Sequence, residues 1–322
     1  MNLKYCSTLI VALVFTIGLI GCKSPNSTTN ASGSDLKLKL KAGETYLLHM
    51  TSEQDIAQQI PQQPELKFHQ TLQIGLSGLV TSIDADGNYN LDVTYKSFAC
   101  KITGLPEPVE FDSTSSNHND FPLANIVNKT YQIKITPLGK VLDVKGADQL
   151  IDVMVDSMTS PPEVKAILSK EALKNQFGDK ATQEMMSGLF GSFPDRPIKE
   201  GERWQQELTM KYSYPAKLDI DYTLIKATNS NAQLDVKTSR KPLEDAPTMN
   251  VGNMTFSYQL NGEDSGSIDV NLKTGWINSS NMHSKMTGKV VVAPNQDLPE
   301  GLSWPISIDS TVSLKGEGPV AQ

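Results

Sequence analysis

Four histidines, at 49, 69, 118 and 283, are the first residues to weigh for catalysis or metal binding. None forms a His-x-His or His-x-x-x-His pair, the spacings that put two imidazoles on one strand face or one helix face. A zinc site would therefore need single histidines from distant strands. Asp84-Ala85-Asp86-Gly87-Asn88 begins like a calcium loop, but its glycine falls two positions early and no glutamate closes twelve residues, so a hairpin turn is expected. Gly262-Glu263-Asp264-Ser265-Gly266 has the look of a nucleophilic serine's surroundings and is read as a turn before a strand over Ser267–Leu272. Asp219 and Asp221 share the wet face of a strand, where solvation accounts for them. With no Gly-x-Gly-x-x-Gly, Gly-x-Ser-x-Gly or phosphate loop, the expectation is a protein that is not an enzyme and carries no cofactor or metal.

The remaining candidates are apolar. Tyr46 and Trp204 each follow a Gly-Glu pair, and equivalent placement implies equivalent packing, with a stacking role in ligand binding as the alternative. Met154, Met158, Met185 and Met186 lie on helical stripes, where flexible thioethers either pack on a sheet or face a ligand.

What positions these residues begins with an export signal. Lys4 precedes an apolar run, Leu9 to Ile20, and Leu19-Ile20-Gly21-Cys22 closes it, so residues 1–21 read as a cleaved signal peptide. That ending resembles a lipobox, which implies lipid attachment at Cys22 and a membrane anchor through N-terminal acyl chains, two or three of which hold stably. Residues 22–35 are Ser, Asn and Thr rich, hence a flexible tether. Lys23 after the lipidated cysteine, by resemblance to envelope sorting signals, favours the periplasmic face of the outer membrane. Cys6 leaves with the signal, so Cys100 has no intrachain partner. A net charge of -7 with no basic run excludes nucleic acid as a partner.

The folded part repeats itself. Lys41-Ala42-Gly43-Glu44-Thr45-Tyr46 recurs as Lys199-Glu200-Gly201-Glu202-Arg203-Trp204, Asn88–Val93 as Asn231–Val236, and Gly139-Lys140-Val141 as Gly275-Trp276-Ile277. Period-2 alternation dominates both copies, with Leu66, Phe68, Leu72, Ile74 and Leu76 on one face, then Leu218, Ile220, Tyr222 and Leu224, then Ile306, Ile308, Val312 and Leu314. Between them the period becomes helical: Ala147 to Met158, Glu163 to Phe177, and a third helix capped by Asp179.

With the lipoprotein tether, Lys-x-Gly-Glu-x-Tyr and the segment Phe193-Pro194-Asp195 to Trp204, the chain resembles an uncharacterised family of bacterial lipoproteins known only as a domain of unknown function. That resemblance covers most of residues 36 to 316 and brings no activity with it. The expected fold is mainly β with a helical insertion (α+β): two related antiparallel curved sheets, at 36–146 and 194–322, covered by helices at 147–193. The expected function is a non-catalytic lipoprotein that binds a hydrophobic ligand or a protein segment. A structural or adaptor role in an envelope complex is the alternative, and an envelope hydrolase a minor one.

Overall fold

A computed structural model describes residues 33–106, 108–115, 125–156, 170–191, 193–212, 215–244, 248–251 and 254–320. The expected signal peptide, the lipid-attachment residue Cys22 and most of the tether lie outside these residues, as does Met158.

The first half supplies β1 (Thr45–Gln58), β2 (Leu66–Ile83), β3 (Tyr89–Thr103), β4 (Val109–Asp112), β5 (Thr130–Ile135) and β6 (Val141–Lys145). Helices α1 (Ala147–Asp156), α2 (Lys170–Phe177) and α3 (Asp179–Phe190) follow. The second half supplies β7 (Arg203–Met210), β8 (Ala216–Ala227), β9 (Asn231–Pro242), β10 (Met249–Val251), β11 (Met254–Asn271), β12 (Ile277–Val292) and β13 (Leu302–Val320).

The expectation of two sheets covered by helices is wrong. All thirteen strands belong to one sheet, ordered β6-β5-β3-β2-β1-β13-β12-β11-β9-β8-β7, with β4 on β3 and β10 on β11. The last strand makes the difference, because β13 pairs antiparallel with β1 from Thr45↔Val320 to Gln58↔Ile306 and also with β12. An isolated first half would leave the N–H and C=O groups of one edge of β1 unpaired, and a long bare edge is costly and prone to aggregation. Pairing with β13 removes that edge and fuses the halves.

Local rules hold where the turns are. Gly43 and Gly201 have φ of 85° and 82°, a region open to glycine but strained for other residues. Their N–H groups donate to Val80 and Leu224 carbonyls at 2.8 and 2.7 Å, while Val80 and Leu224 N–H groups return to Glu44 and Glu202, both at 3.0 Å. Asp84 to Asn88 forms the expected β2–β3 turn, its Oδ1 accepting the backbone N–H groups of Asp86 and Asn88.

Two local expectations need correction. Gly262 to Gly266 is not a turn but the middle of β11, paired on both sides with β12 and β9. Asp179 does not cap its own helix: its carboxylate accepts the N–H of Ala147 at 2.7 Å, at the start of α1, and Asp148 Oδ1 accepts the N–H of Asp179 at 2.9 Å. Each aspartate thus satisfies the orphan donors of the other helix, tying α1 to α3.

Candidate functional site

The sheet is wrapped, and the N-terminal segment proves it. Leu38 N–H donates to the Pro137 carbonyl at 2.7 Å and Lys39 N–H to that of Thr274 at 2.8 Å. Pro137 lies in the β5–β6 turn and Thr274 in the β11–β12 turn, and five inter-strand steps separate β5 from β12 along the sheet. At about 4.8 Å per step that is roughly 24 Å of sheet. Adjacent residues about 3.8 Å apart reach both turns only if the sheet curls round to bring them together. Leu36, Leu38 and Leu40 are buried inside the closure, and Ser34, within the expected tether, pairs antiparallel with Ile198.

Helix α3 fills the same end. Leu189 and Phe190 border two apolar voids of about 20 and 10 Å³, one shared with Tyr46, Leu91 and Trp276, the other with Phe193, Trp204 and Tyr222. One short stretch of helix therefore touches both halves. Phe190 sits 5.2 Å from Trp276 and Trp276 4.9 Å from Tyr46, centroid to centroid, while Trp204 stacks on Tyr222 at 5.0 Å. Tyr46 and Trp204 are buried, as are Met154 and Met186, and Met185 is partly buried against the core. Tyr46 Oη donates to Glu44 Oε2 at 2.6 Å; burial and that carboxylate push the phenol's pKa well up, and the same bond holds Glu44 below its usual value. Cys100 is buried on β3, which raises its thiol pKa to about 11 and leaves it unreactive. Glu184 on α3 accepts the N–H groups of Lys211 and Tyr212 at 3.0 Å, though burial still raises its pKa.

Below this plug the interior changes character along a single row. Strand register sets Gln70 opposite Gln54, Gln54 opposite Ser310, Ser310 opposite Ser284, Ser284 opposite Asp264 and Asp264 opposite Thr238. The row runs on through Ile220 to Gln206 on β7. All these polar side chains are buried and occupy the inward positions that every neighbouring row gives largely to apolar residues. Arg240, one row further from the plug, reaches Asp264 at 3.5 Å, and Ser284 Oγ donates to the same carboxylate. Among the described residues no group reaches either amide atom of Gln70, Gln206 Oε1, Thr238 Oγ1 or Arg240 Nε.

The solvent face offers a different arrangement. A cleft of about 660 Å³ over β2, β1, β13 and β12 is lined by Asp55, His69, Lys285 and Asp309. His69 Nδ1 meets Asp55 at 2.9 Å and its Nε2 meets Thr71 Oγ1 at 3.3 Å, while His283 meets Asp309 at 2.7 Å. Hydroxyl, imidazole and carboxylate are in triad order, but among the described residues the backbone N–H groups around them are engaged in the β1–β2 and β2–β3 ladders and do not form a backbone oxyanion hole. Among the described residues no three His, Cys, Asp or Glu side chains gather as metal ligands.

Sequence reasoning singled out the aromatic and methionine positions and passed over the polar row. Its signal was present: Gln70 interrupts Leu66, Phe68, Leu72 at inward parity, and Ser310 interrupts Ile306, Ile308, Val312. A single polar exception in one strand means little. Only the register aligns six of them.

Fold and interior together define an antiparallel β protein whose single sheet curls on itself, its inward face packed at one end against a helix. The chain belongs to the family of unknown function DUF6263, whose model matches residues 86–277, more than half of its length. No curated protein matches. Among solved structures, one described as lipid–protein interactions in lipovitellin is 10% identical with a TM-score of 0.44, covering 88% of this chain and 26% of that chain. An outer membrane channel from Pseudomonas putida F1 is 6% identical with a TM-score of 0.22, covering 89% and 100%. A LolA superfamily protein from Nitrosomonas europaea is 7% identical with a TM-score of 0.10, covering 86% and 85%. Likenesses this distant carry no argument about function.

Proposed function

We propose that this is a non-catalytic, lipid-anchored protein of the cell envelope that holds an apolar or amphipathic ligand inside its wrapped sheet. The observation that carries the reading is the interior itself: a continuous inward face contributed by both halves, sealed at one end by α3 and residues 36–40. Methionines 186, 282 and 286 line it, and unbranched thioethers repack around an incoming chain more readily than branched side chains do. The matching turns at Gly43 and Gly201 support an origin by duplication, each copy contributing one wall.

Leu19-Ile20-Gly21-Cys22 supports anchoring through acyl chains on Cys22, and Lys23 supports the periplasmic face of the outer membrane. Replacing Cys22 with Ser is expected to release the protein from the membrane fraction. Native mass spectrometry of protein extracted from membranes tests the ligand, with a bound apolar or amphipathic species at near-equal stoichiometry as the expected result. Protein that carries none, and that takes up no fluorescent lipid after delipidation, would overturn the reading.

A further inference from the structure

We infer that helices α1, α2 and α3 form a hinged lid, and that lifting it uncovers the ligand site: an aromatic slot for an unbranched acyl chain, with Tyr46 and Trp276 on one wall and Trp204 and Tyr222 on the other. This rests on the ligand-binding reading above and adds the place, the ligand class and the route in.

Room decides where a ligand can go. The two apolar voids beside Leu189 and Phe190, about 20 and 10 Å³, hold a water molecule each at most, so a ligand needs the space that the end of α3 now fills. Both voids border the same two side chains, and withdrawing Leu189 and Phe190 joins them into one slot with no charged residue in its lining. An unbranched acyl chain suits such a slot, and an ionised group does not.

Three observations make the helices the part that moves. First, they are one body. Asp148 and Asp179 exchange caps between α1 and α3, while Lys174 to Asp152 and Lys170 to Asp156, each at 2.8 Å, brace α2 against α1. Second, glycines at positive φ bound that body: Gly146, at 103°, between β6 and α1, and Gly191, at 61°, directly after α3. Just beyond Gly191 the chain is fixed again, Phe193 N–H donating to the Leu138 carbonyl at 2.9 Å, so rotation at the two glycines turns the helices and leaves the strands in place. Third, the polar attachment of α3 to the sheet runs through side chains. Gln183 donates to the Leu142 carbonyl on β6 at 3.0 Å, and Glu184 accepts the N–H of Lys211, just past β7, at 3.0 Å. Since β6 and β7 are the two ends of the strand order, consecutive residues of one helix bridge the sheet's edges. Helical backbone bonds are internal, so lifting α3 breaks no ladder bond, whereas parting any two strands would.

The test uses full-length protein purified from membranes and delipidated. Glu184→Cys with Lys211→Cys, joined by a short bis-maleimide, ties α3 to the end of β7. The same variant capped with a mono-maleimide is the control, and Cys100, buried with its pKa raised to about 11, stays unreacted. A fluorescent fatty acid is expected to bind the tied form at least about tenfold more weakly than the capped one, because the open state is no longer populated. Location is read separately in Trp304→Phe protein, whose remaining tryptophans, Trp204 and Trp276, both border the slot and should be quenched by a dibrominated fatty acid. Equal affinity in tied and capped forms, or binding without quenching, would overturn the lid and its slot while leaving ligand binding intact. Failure of the wild type to bind either probe would remove both readings together.

Discussion

Phe190→Ala tests the closure of the wrapped sheet most directly. The ring is 7 % exposed, contacts Trp276 at 5.2 Å and borders both apolar voids. Removing it forfeits about 1.5–3 kcal/mol of burial. The cavity term adds to this, giving about 3–5 kcal/mol for buried Phe→Ala changes. The upper part of that range applies here: the vacated volume joins two voids already present, and walls made of paired strands cannot collapse into it. Urea denaturation followed by tryptophan fluorescence suits the question, since Trp204 and Trp276 line the closure while Trp304 sits elsewhere, its Nε1 bonded to Gln58 at 2.9 Å. Ile225→Ala, at a side chain 51 % exposed, is the control and should change stability by no more than about 0.5 kcal/mol. The wild type should unfold in one transition at all three tryptophans. A Phe190→Ala loss below about 1 kcal/mol, or separate transitions in the wild type, would refute the argument that one helix end locks both halves.

Three further outcomes are expected. Thr51→Pro, in a strand paired with both β2 and β13, removes a ladder donor and should cost about 3 kcal/mol or more by circular dichroism melting; an unchanged midpoint would contradict the β1–β13 junction. Gly43→Ala and Gly201→Ala should each destabilise by roughly 1 kcal/mol in chemical denaturation, and clearly unequal costs would show that the two turns are not equivalent. Lys134 and Asn88 hold the Asp84 carboxyl far below its ordinary value of 3.8, so its stabilisation is present above that value and is lost as pH falls toward the lowered one; Asp84→Asn should flatten the acid limb of a stability–pH curve, and an unchanged limb would discount the pair.

Much of the local structure was legible because it is decided locally. Alternation in Leu218 to Leu224 or Ile306 to Leu314 reports a half-buried strand whatever lies beside it, and Gly43 and Gly201 report their turns because few other residues accept φ near +80°. Tyr46 and Trp204 could be matched from the Gly-Glu before each, and both are buried. Helix α3 could be read from its stripe, but not the partners of its cap: Asp179 serves α1, 32 residues back in the chain, because whichever orphan N–H lies nearest in space takes the carboxylate.

Long-range pairing lay beyond the sequence. Any exposed strand edge can pair with any other, and nothing in Thr45 to Gln58 names Ile306 to Val320 as its partner, so two sheets and one sheet satisfy the same periodicity. The Gly262 to Gly266 stretch reads as a turn by composition yet runs straight through β11, since its glycines answer to the close approach of β12 rather than to a bend. The polar row shows the same division most plainly. Gln54, Gln70, Thr238, Asp264, Ser284 and Ser310 are each a single polar residue in its own strand, and register alone, a property of pairs of strands, aligns them in one buried row.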